Sequence, residues 1–582
     1  MVARKGSHSS KKLGLLPHLE NLYFSICVNI ERGRDTMSVT GKCIAELILK
    51  GGLVITMEDP VEALPLDCAV AGGRIQALSP RGGLKAFEGP ETEVVDLRGN
   101  TLMPGLIDSH NHMVSFGQNL ENVDVRPTEV VSIEGLLSKL KAAASKTPPG
   151  QWIKAWGYDD TRMREMRYPS MEELDKVCPE NPVTILRTCG HVMMVNSLAL
   201  NLAGILDSTS DPEGGEIVRD GNGKPNGVLF ELGAMNLVNR LIPYLDPEGC
   251  ARSLALASEK YVSEGLTMVT EAGAGWTGNP YEAAGFQRAW QSGSLKTRVS
   301  MGLMETTYRL LPQEGGTGLV TGFGDDYLKI GAIKFVADGG IGARTAALSE
   351  PYENSDYRGV MCEDFESLSK RMETVHNAGC QIFVHAIGDR TLDMVLTAYE
   401  SLLSRHPRPH RHRIEHAAIA QPDLIERIAR LNLCAVVQPA FLFYLGDSFI
   451  RNLGPKRLKS TLPLRSMIDK GITVAGSSDR PVTEGNPWTA IWSAVNRTTI
   501  SGQEISPEEK LSVPEALKLY TRNGAFVNFA EDRLGTLSPG KYADIIVIDK
   551  NPLAINPEGL RDIQVLRSFI EGKEVYLSLI HI

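Results

Sequence analysis

Two histidines separated by one residue close an apolar segment at residues 101–114, TLMPGLIDSHNHMV. In a β-strand, residues i and i+2 point to the same face, so His110 and His112 can direct both imidazoles at one point beyond the strand's carboxyl end. This geometry suits chelation of a metal ion. The alternative is a polar strand end that carries two histidines and binds nothing, because an HxH pair is short and common.

Four further side chains of suitable chemistry lie at the ends of apolar segments later in the chain. RHRIEH ends at His416, CQIFVH ends at His385, LKIGAIKF carries Lys334 near its end, and ITVAGSSD ends at Asp479. Each residue alone has an ordinary explanation, such as a hydrogen-bonded structural histidine or an aspartate that caps a helix. Taken together with the HxH pair, they indicate a single site.

Eight apolar segments alternate with helical stretches and predict the strands that position these side chains. In chain order they are TLMPGLID, LTMVTE, TRVSMGL, LKIGAIKF, CQIFVH, RHRIEH, LCAVVQP and ITVAGSSD. Alternating strands and helices are typical of a parallel barrel or a doubly wound sheet, and a count of eight favours the barrel. We therefore predict an α/β fold built on a (β/α)8 TIM-type barrel, with its catalytic groups at the carboxyl ends of the strands.

The remaining segments predict additional units around this barrel. Short β-branched runs with glycine turns at 43–100 and 535–577 predict a small composite β-sandwich built from both chain ends, although two independent hairpin patches would give the same pattern. The barrel domain then spans 101–534 and contains an inserted subdomain at about 117–250, which is too long for an ordinary loop. Residues 1–36 are expected to be a disordered or tag-like extension, and the final LSLIHI also resembles an appended end.

Composition narrows the class of partner. The net charge is -9 without a basic block, which argues against nucleic acid and favours a small-molecule substrate. No apolar run approaches the roughly 20 residues of a membrane span, so we expect no membrane partner. The nine cysteines are scattered without a CxxC pair, which suits a reducing, cytoplasmic location. Oligomeric state is left open, and a homodimer would be compatible with the sequence.

These motifs resemble the amidohydrolase superfamily, and within it the amidohydrolase 3, YtcJ-like group. The likeness is carried by GLIDSHNH, KFVADGGIGARTAAL, VHAIGDR, RIEHA and GSSDRPV, and LSVPEALKLYTRNGA and LGTLSPGKYADIIVID extend it over about 44–575. The resemblance implies a metal-dependent hydrolase with a TIM barrel and a composite β-sandwich. The expected reaction is hydrolysis of a non-peptide C–N bond in an amide, cyclic amide or formamide, with N-substituted formamides as one substrate class.

The resemblance also implies a set of six metal ligands. They are His110, His112 and Asp479 on one divalent ion, His385 and His416 on a second, and Lys334 between the two as a bridging carbamate. Imidazole and carboxylate ligands suit zinc or a neighbouring first-row ion. Asp479 is then expected to take a proton from the attacking water and pass it to the leaving nitrogen.

The carbamylated form of Lys334 has a physical rationale. A neutral amine that adds CO₂ becomes an anionic oxygen ligand, and burial near cations favours that form over an ammonium. The alternative is an ordinary ammonium paired with Asp338 or Glu271, in which case the site would hold one metal ion instead of two.

Four other residues are candidate contacts for substrate. His191, in RTCGHVMM within the insertion, is expected to contact substrate or to donate to an oxyanion, with an ordinary polar role as the alternative. Asp338 and Arg344 follow Lys334 in a glycine-rich loop and are expected to orient substrate. Asp389 follows His385 and is expected either to contact substrate or to support that histidine.

Two rival functions remain open from the sequence. One is a mononuclear deaminase of an amino-heterocycle, which a single metal and an unmodified Lys334 would favour. The other is a non-catalytic barrel that keeps a metal for stability, against which the intact Asp479 argues.

Overall fold

The computed structural model of the chain describes residues 44–579, except residues 128, 188–191, 213–214 and 310–318. Seven short strands come first, because β-branched runs alternate there with glycine turns. They are β1 (Leu47–Lys50), β2 (Leu53–Ile55), β3 (Ala63–Leu64), β4 (Leu66–Ala71), β5 (Arg74–Pro80), β6 (Glu93–Asp96) and β7 (Thr101–Pro104). One four-stranded sheet has the order β5-β4-β1-β6.

The first barrel strand is followed by a separate sheet. The barrel strand is β8 (Leu106–Asn111), and the separate sheet contains β9 (Val123–Asp124), β10 (Ile153–Tyr158), β11 (Val183–Arg187), β12 (Val192–Val195), β13 (Glu216–Arg219) and β14 (Pro225–Phe230). Its order is β13-β14-β12-β11-β10-β9. The helices of this region are α1 (Met113–Glu121), α2 (Ile133–Ala144), α3 (Met171–Val177), α4 (Ser197–Leu202) and α5 (Glu231–Asn239).

Seven more strands join β8 in one parallel sheet, and the predicted barrel fold is confirmed. They are β15 (Leu266–Ala274), β16 (Arg298–Met304), β17 (Leu328–Val336), β18 (Ile382–Ala386), β19 (Arg413–His416), β20 (Cys434–Val437) and β21 (Val474–Gly476). Their spatial order follows the chain order from β8 to β21. The sheet closes through two backbone hydrogen bonds, in which Asp479 N–H donates to His110 C=O at 2.8 Å and His112 N–H donates to Arg480 C=O at 2.7 Å.

Helices pack around the outside of these strands. They are α6 (Pro247–Ser263), α7 (Glu282–Gln291), α8 (Glu305–Arg309), α9 (Phe365–Asn377), α10 (Asp389–Arg405), α11 (Pro422–Arg430), α12 (Ala440–Leu458), α13 (Leu464–Asp469), α14 (Pro487–Asn496), α15 (Val513–Leu519) and α16 (Arg522–Val527). The largest cluster of buried apolar residues joins the barrel strands to this layer. Within the described part of the chain, no helix is both long enough and apolar enough to cross a membrane.

The last three strands return to the first part of the chain. They are β22 (Ile545–Ile548), β23 (Val565–Ile570) and β24 (Lys573–Leu577), and they form a six-stranded sheet of order β24-β23-β22-β7-β2-β3. Strands from both chain ends therefore share this six-stranded sheet, which we call the end sheet.

The segment TLMPGLID does not form the single strand that its apolar run predicted. It divides at Gly105 into β7 of the end sheet and β8 of the barrel. A Cβ at Gly105 would lie 2.0 Å from Oγ1 of Thr267, so the chain passes between the two sheets where only glycine fits.

Candidate metal centre

The six predicted ligands lie on one rim of the barrel, where the carboxyl ends of its parallel strands meet. His110 is in β8 and His112 follows it, Lys334 is in β17, His385 is in β18, His416 is the last residue of β19, and Asp479 follows β21. The imidazole centroids of neighbouring histidines are 5.7 Å apart for His110–His112, 4.9 Å for His110–His416 and 4.4 Å for His385–His416. Residues scattered over 370 positions of sequence thus converge.

Asp479 lies between the first histidine pair. One of its oxygens, Oδ1, is 3.4 Å from Nε2 of His110 and 3.4 Å from Nε2 of His112. His110, His416 and Asp479 also each offer a ligand atom within 4.8 Å of the others. Burial opposes ionisation of Asp479, but the contacts with both histidines hold its pKa well below the ordinary value. The carboxylate is therefore available as a metal ligand or as a proton acceptor.

The ring orientation of His416 is set by a short chain of hydrogen bonds. Its Nδ1 is 2.7 Å from Oε1 of Gln438, whose Nε2 donates to Oγ of Ser477 at 2.9 Å. That hydroxyl in turn donates to the carbonyl of Val437 at 2.9 Å. Because each group in this series of hydrogen bonds donates to the next, Nδ1 of His416 must be the donor to Gln438. Nε2 of His416 is therefore left with a free lone pair for a metal.

The side of the His112 ring that faces away from Asp479 lies next to the carboxylate of Glu271. Its Nδ1 is 3.4 Å from Oε1 of Glu271, a contact that is not aligned as a hydrogen bond and leaves this buried nitrogen without a partner. Glu271 is held by the backbone N–H groups of Met113 at 2.8 Å and Gly273 at 3.0 Å. Burial lowers the pKa of His112, but Asp479 and Glu271 outweigh this and raise it to about 9. A proton on this ring would be displaced by a bound cation.

His385 faces the glycine-rich loop that follows β17. Its Nε2 is 3.2 Å from the carbonyl oxygen of Gly339 and 3.3 Å from Oδ1 of Asp338. With Nε2 engaged as a donor, Nδ1 is the nitrogen of His385 that remains free for a metal. His385 and His416 therefore each have an outer partner that holds the ring, as metal-binding histidines usually do.

Lys334 is a buried amine without a counter-ion. It is 2% exposed, and its Nζ is 3.5 Å from Nε2 of His110. In the described part of the chain, no carboxylate oxygen lies within 4.0 Å of this amine, so the alternative of an ammonium paired with Asp338 or Glu271 is not observed. Burial is the main cause that lowers the pKa of Lys334, to about 8. A pKa of about 8 leaves a fraction of this amine neutral near pH 7, and the neutral form suits both direct ligation and carbamylation.

Asp108 supports the closing seam of the barrel beneath the ligands. Its carboxylate accepts from the backbone N–H of Ser478 at 3.1 Å and from the Ser478 hydroxyl at 2.5 Å. It also accepts from the backbone N–H of His110 at 3.2 Å. Burial raises the pKa of Asp108 to about 6. The strand that carries the HxH pair is thereby tied to the segment that carries Asp479.

The donor set fits one or two divalent ions. It consists of imidazole nitrogens, one carboxylate and one amine, without a thiolate, and this chemistry suits zinc or a similar first-row ion. The buried amine of Lys334 contacts Nε2 of His110 at 3.5 Å and no carboxylate of the described residues, so a cation at this rim would complete its surroundings.

Three of the predicted substrate contacts have hydrogen-bond partners within the chain, and their contact with substrate stays a prediction. Asp338 is 1% exposed, and its oxygens accept from the N–H groups of Ile387, Gly388 and Ala347 at 2.8–3.0 Å. The Arg344 guanidinium donates to Asn452 at 2.9 Å.

Asp389 is also held by hydrogen bonds within the chain. Its carboxylate accepts from Ser349 N–H at 2.9 Å, from the Ser349 hydroxyl and from Gln421 at 3.0 Å. His191 lies outside the described residues, and its predicted role stays a prediction.

Several residues of the site were missed by sequence reasoning. Glu415, Gln438 and Trp276 were not singled out, although Glu415 stands one position before His416 in RIEHA. Trp276 stacks on His112 with ring centroids 5.5 Å apart, and it is 47% exposed. Charged residues inside a barrel strand were the available signal for Glu415, because such strands usually fill the interior with apolar side chains.

Comparison with known proteins gives matches over most of the chain. The model of the amidohydrolase family matches residues 93–576. The YtcJ protein of Bacillus subtilis is 32% identical over 542 residues, which cover 91% of this chain and 99% of that protein. The N-substituted formamide deformylase of Arthrobacter pascens is 30% identical over 524 residues, covering 86% of this chain and 93% of the relative. An uncharacterized metal-dependent hydrolase from Pyrococcus furiosus superposes with a TM-score of 0.72 at 28% identity, over 87% of this chain and 99% of that one.

Proposed function

Because this chain belongs to the amidohydrolase family, we propose that it is a metal-dependent hydrolase that cleaves a non-peptide C–N bond. The observation that carries the proposal is the convergence on one barrel rim of four histidines, one aspartate and one buried, unpaired lysine. Family membership supports the reaction class, and the names of two relatives, a formamide deformylase and a metal-dependent hydrolase, support the bond type and the need for metal.

The metal would be held by the histidine nitrogens that face away from their outer partners. These are Nε2 of His110, His112 and His416, and Nδ1 of His385, with Asp479 as the carboxylate ligand. A divalent ion at such a site polarises the substrate carbonyl and makes water a better nucleophile near neutral pH. Zinc is the ion that we propose.

Asp479 is proposed to move the proton. The water oxygen bonds to the carbonyl carbon, Asp479 accepts the proton that the water loses, and the C–N bond breaks as Asp479 returns that proton to the departing nitrogen. The low pKa of Asp479 keeps it ionised and ready to accept. The products are a carboxylic acid and an amine.

Lys334 is proposed to carry a carbamate. The neutral form of its Nζ would add to CO₂ with loss of a proton, and the anionic carbamate that replaces the cationic group would be able to bridge the two proposed metal ions. The absence of any carboxylate within 4.0 Å of Nζ, within the described residues, supports this proposal over the ammonium. An unmodified Lys334 with a single metal would instead favour the deaminase alternative.

The substrate is proposed to be a small amide or formamide with an apolar substituent. Trp276, half exposed beside the His112 ring, offers a flat apolar surface next to the metal ligands. The name of the deformylase relative makes N-substituted formamides the first substrates to test.

The decisive assay uses metal-loaded enzyme against a panel of N-substituted formamides, N-acyl amino acids, hydantoins and amino-heterocycles. We expect zinc-dependent release of amine from at least one amide or formamide, and a loss of about 10²–10⁴-fold in kcat for Asp479→Asn in protein whose circular dichroism spectrum shows that it is folded. Asp423→Asn, at an exposed position in the first turn of α11, is the matched control and should retain full activity. Full activity of Asp479→Asn would refute the proton-transfer role, and ammonia release from amino-heterocycles alone would favour the deaminase.

A further inference from the structure

Strand β19 carries an ion pair in the interior of the barrel. Arg413 and Glu415 are two positions apart, so they share a face of the strand, and both are 0% exposed. Nε of Arg413 donates to Oε1 of Glu415 at 2.7 Å and Nη2 donates to Oε2 at 3.0 Å. Such a bidentate geometry is the strongest form of arginine–carboxylate contact.

Arg413 is fixed from two other directions. Its Nη2 donates to the carbonyl oxygen of Ser109 at 2.7 Å, and its guanidinium lies 3.5 Å from the ring centroid of Phe383. Ser109 directly precedes His110 in β8, so this one side chain connects β19 with the strand of the HxH pair. The position of Glu415 is therefore determined by contacts on both strands.

Glu415 also reaches one of the predicted metal ligands. Its Oε2 forms a short contact with Nδ1 of His110. A carboxylate accepts and does not donate, so His110 must carry its proton on Nδ1 and present a bare Nε2 to the rim. That Nε2 is the atom 3.4 Å from Asp479 and 3.5 Å from Lys334.

We infer that Glu415 and Arg413 are positioning residues of the proposed metal centre: Glu415 fixes the tautomer of His110 and strengthens it as a ligand, and Arg413 holds Glu415 in place. The inference rests on the proposed function, since it gives a role to residues that do not touch substrate or metal. Among the described outer partners of the four histidines, Glu415 is the one that forms an ion pair with an arginine or lysine.

If the Arg413–Glu415 ion pair served only to stabilise the fold, replacing both residues would leave zinc binding unchanged. A buried ion pair is expensive to desolvate, and replacement of both partners by uncharged residues is often neutral or stabilising for the fold. A structural pair can thus be removed without loss of function, whereas a pair that serves the metal cannot.

The test compares two variants of the full chain. Glu415→Gln leaves Arg413 buried without its anion and offers His110 an amide that can present either oxygen or nitrogen. The double variant Arg413→Met/Glu415→Gln removes both charges. Two properties are measured for each: the denaturation midpoint of the metal-free protein, and zinc affinity by competition with a chromophoric chelator.

We expect Glu415→Gln to lower the midpoint and to weaken zinc binding about 10–100-fold, the usual effect of removing an outer partner of a metal ligand. The double variant should regain most of the wild-type midpoint but keep the weakened zinc affinity. Absorption spectra of the cobalt-loaded proteins should show an altered ligand field in both variants. If Glu415→Gln does not fold, the double variant alone decides the question.

Glu509→Gln is the matched control. Glu509 is a buried carboxylate that accepts from Ser466 N–H at 2.9 Å, remote in sequence from any predicted ligand. This variant should leave zinc affinity unchanged. Wild-type zinc affinity in Glu415→Gln or in the double variant would overturn the inference and leave the proposed function standing. Failure of the wild-type protein to bind zinc would instead overturn the proposed function.

Discussion

Lys334 is the residue whose chemistry depends most strongly on its surroundings. An ordinary lysine with a pKa of 10.5 is neutral in only about 3 molecules per 10,000 at pH 7, whereas a pKa of about 8 makes about one in ten neutral. Since only the neutral amine attacks CO₂, burial prepares Lys334 for carbamylation within the physiological pH range.

The pH dependence of carbamylation follows from this shift. At constant dissolved CO₂ and added zinc, we expect the rate of carbamate formation to rise as pH increases from 6 and to level off above about 8. The lowered pKa sets the sign, because deprotonation of the amine is the limiting requirement. Carbon-13 NMR spectra recorded at intervals after the addition of labelled CO₂ measure the rate at which the carbamate signal grows.

A second buried lysine provides the control for this experiment. Lys329 also has its pKa lowered to about 8 by burial, but its amine donates to the carbonyl of Asn528 at 2.8 Å. Lys329→Arg should keep the carbamate signal and Lys334→Arg should lose it. A signal that persists in Lys334→Arg would place the modification elsewhere and remove the bridging ligand from the proposal.

At the residue scale, sequence reasoning identified the side chains that converge on the rim but not their supports. HxH spacing and apolar runs ending in His, Lys or Asp are local patterns, so they can be recognised along the chain. The partners of the histidines come from other strands, as Glu415 does for His110, and no local pattern specifies such pairs. The contact of Asp338 with His385 is likewise not specified by a local pattern, because it forms between segments that follow each other only in the folded sheet.

At the scale of elements, the closing seam of the barrel is the feature that assembles the site. The segment after β21 donates to and accepts from β8, and Arg480 anchors this segment to the end of α6. Arg480 is 2% exposed, and it donates to Glu264 at 2.8 and 3.2 Å, with its guanidinium 4.4 Å from the ring centroid of Phe116. The position of Asp479 therefore depends on the buried ion pair between its neighbour Arg480 and Glu264.

Arg480→Met should destabilise the protein by about 3 kcal/mol, the lower end of the cost of breaking a buried ion pair. The lower end applies because Lys260, which lies 3.0 Å from Glu264, still compensates part of its charge. Urea denaturation of the metal-free protein measures the change. Arg427→Met, which removes two partly exposed ion pairs with Asp393 and Glu400, is the control and should cost about 1 kcal/mol or less. Equal stability of the two variants would show that the seam does not rely on Arg480.

The element pattern was predictable because most barrel strands are continuous apolar runs. The segment RHRIEH is the exception, and its place in the alternation of strands and helices identified it. The division of TLMPGLID into two strands at Gly105 was not predictable, because it depends on close contact with Thr267. The segment HPRPHRH at 406–412 is a place where composition alone gives a wrong indication of burial. Its polar composition indicates exposed loop histidines, yet His412 is fully buried and hydrogen bonds to His376 at 2.8 Å.

At the scale of the whole molecule, the end sheet and the proposed metal centre lie at opposite ends of the barrel. Arg298, at the first position of β16, donates to Asp544 at 2.7 and 3.0 Å, next to the start of β22. This buried pair ties the barrel to the sheet that both chain ends form. Contacts at the amino ends of barrel strands serve stability, whereas the metal ligands occupy the carboxyl ends.

The central claim is that six side chains distant in sequence hold divalent metal at one rim. Crystals grown with zinc and bicarbonate allow a direct test by anomalous scattering at the zinc edge. The account predicts peaks about 2.0–2.2 Å from Nε2 of His110, His112 and His416 and from Nδ1 of His385. A map without a peak at this rim, or with zinc bound only elsewhere, would contradict it.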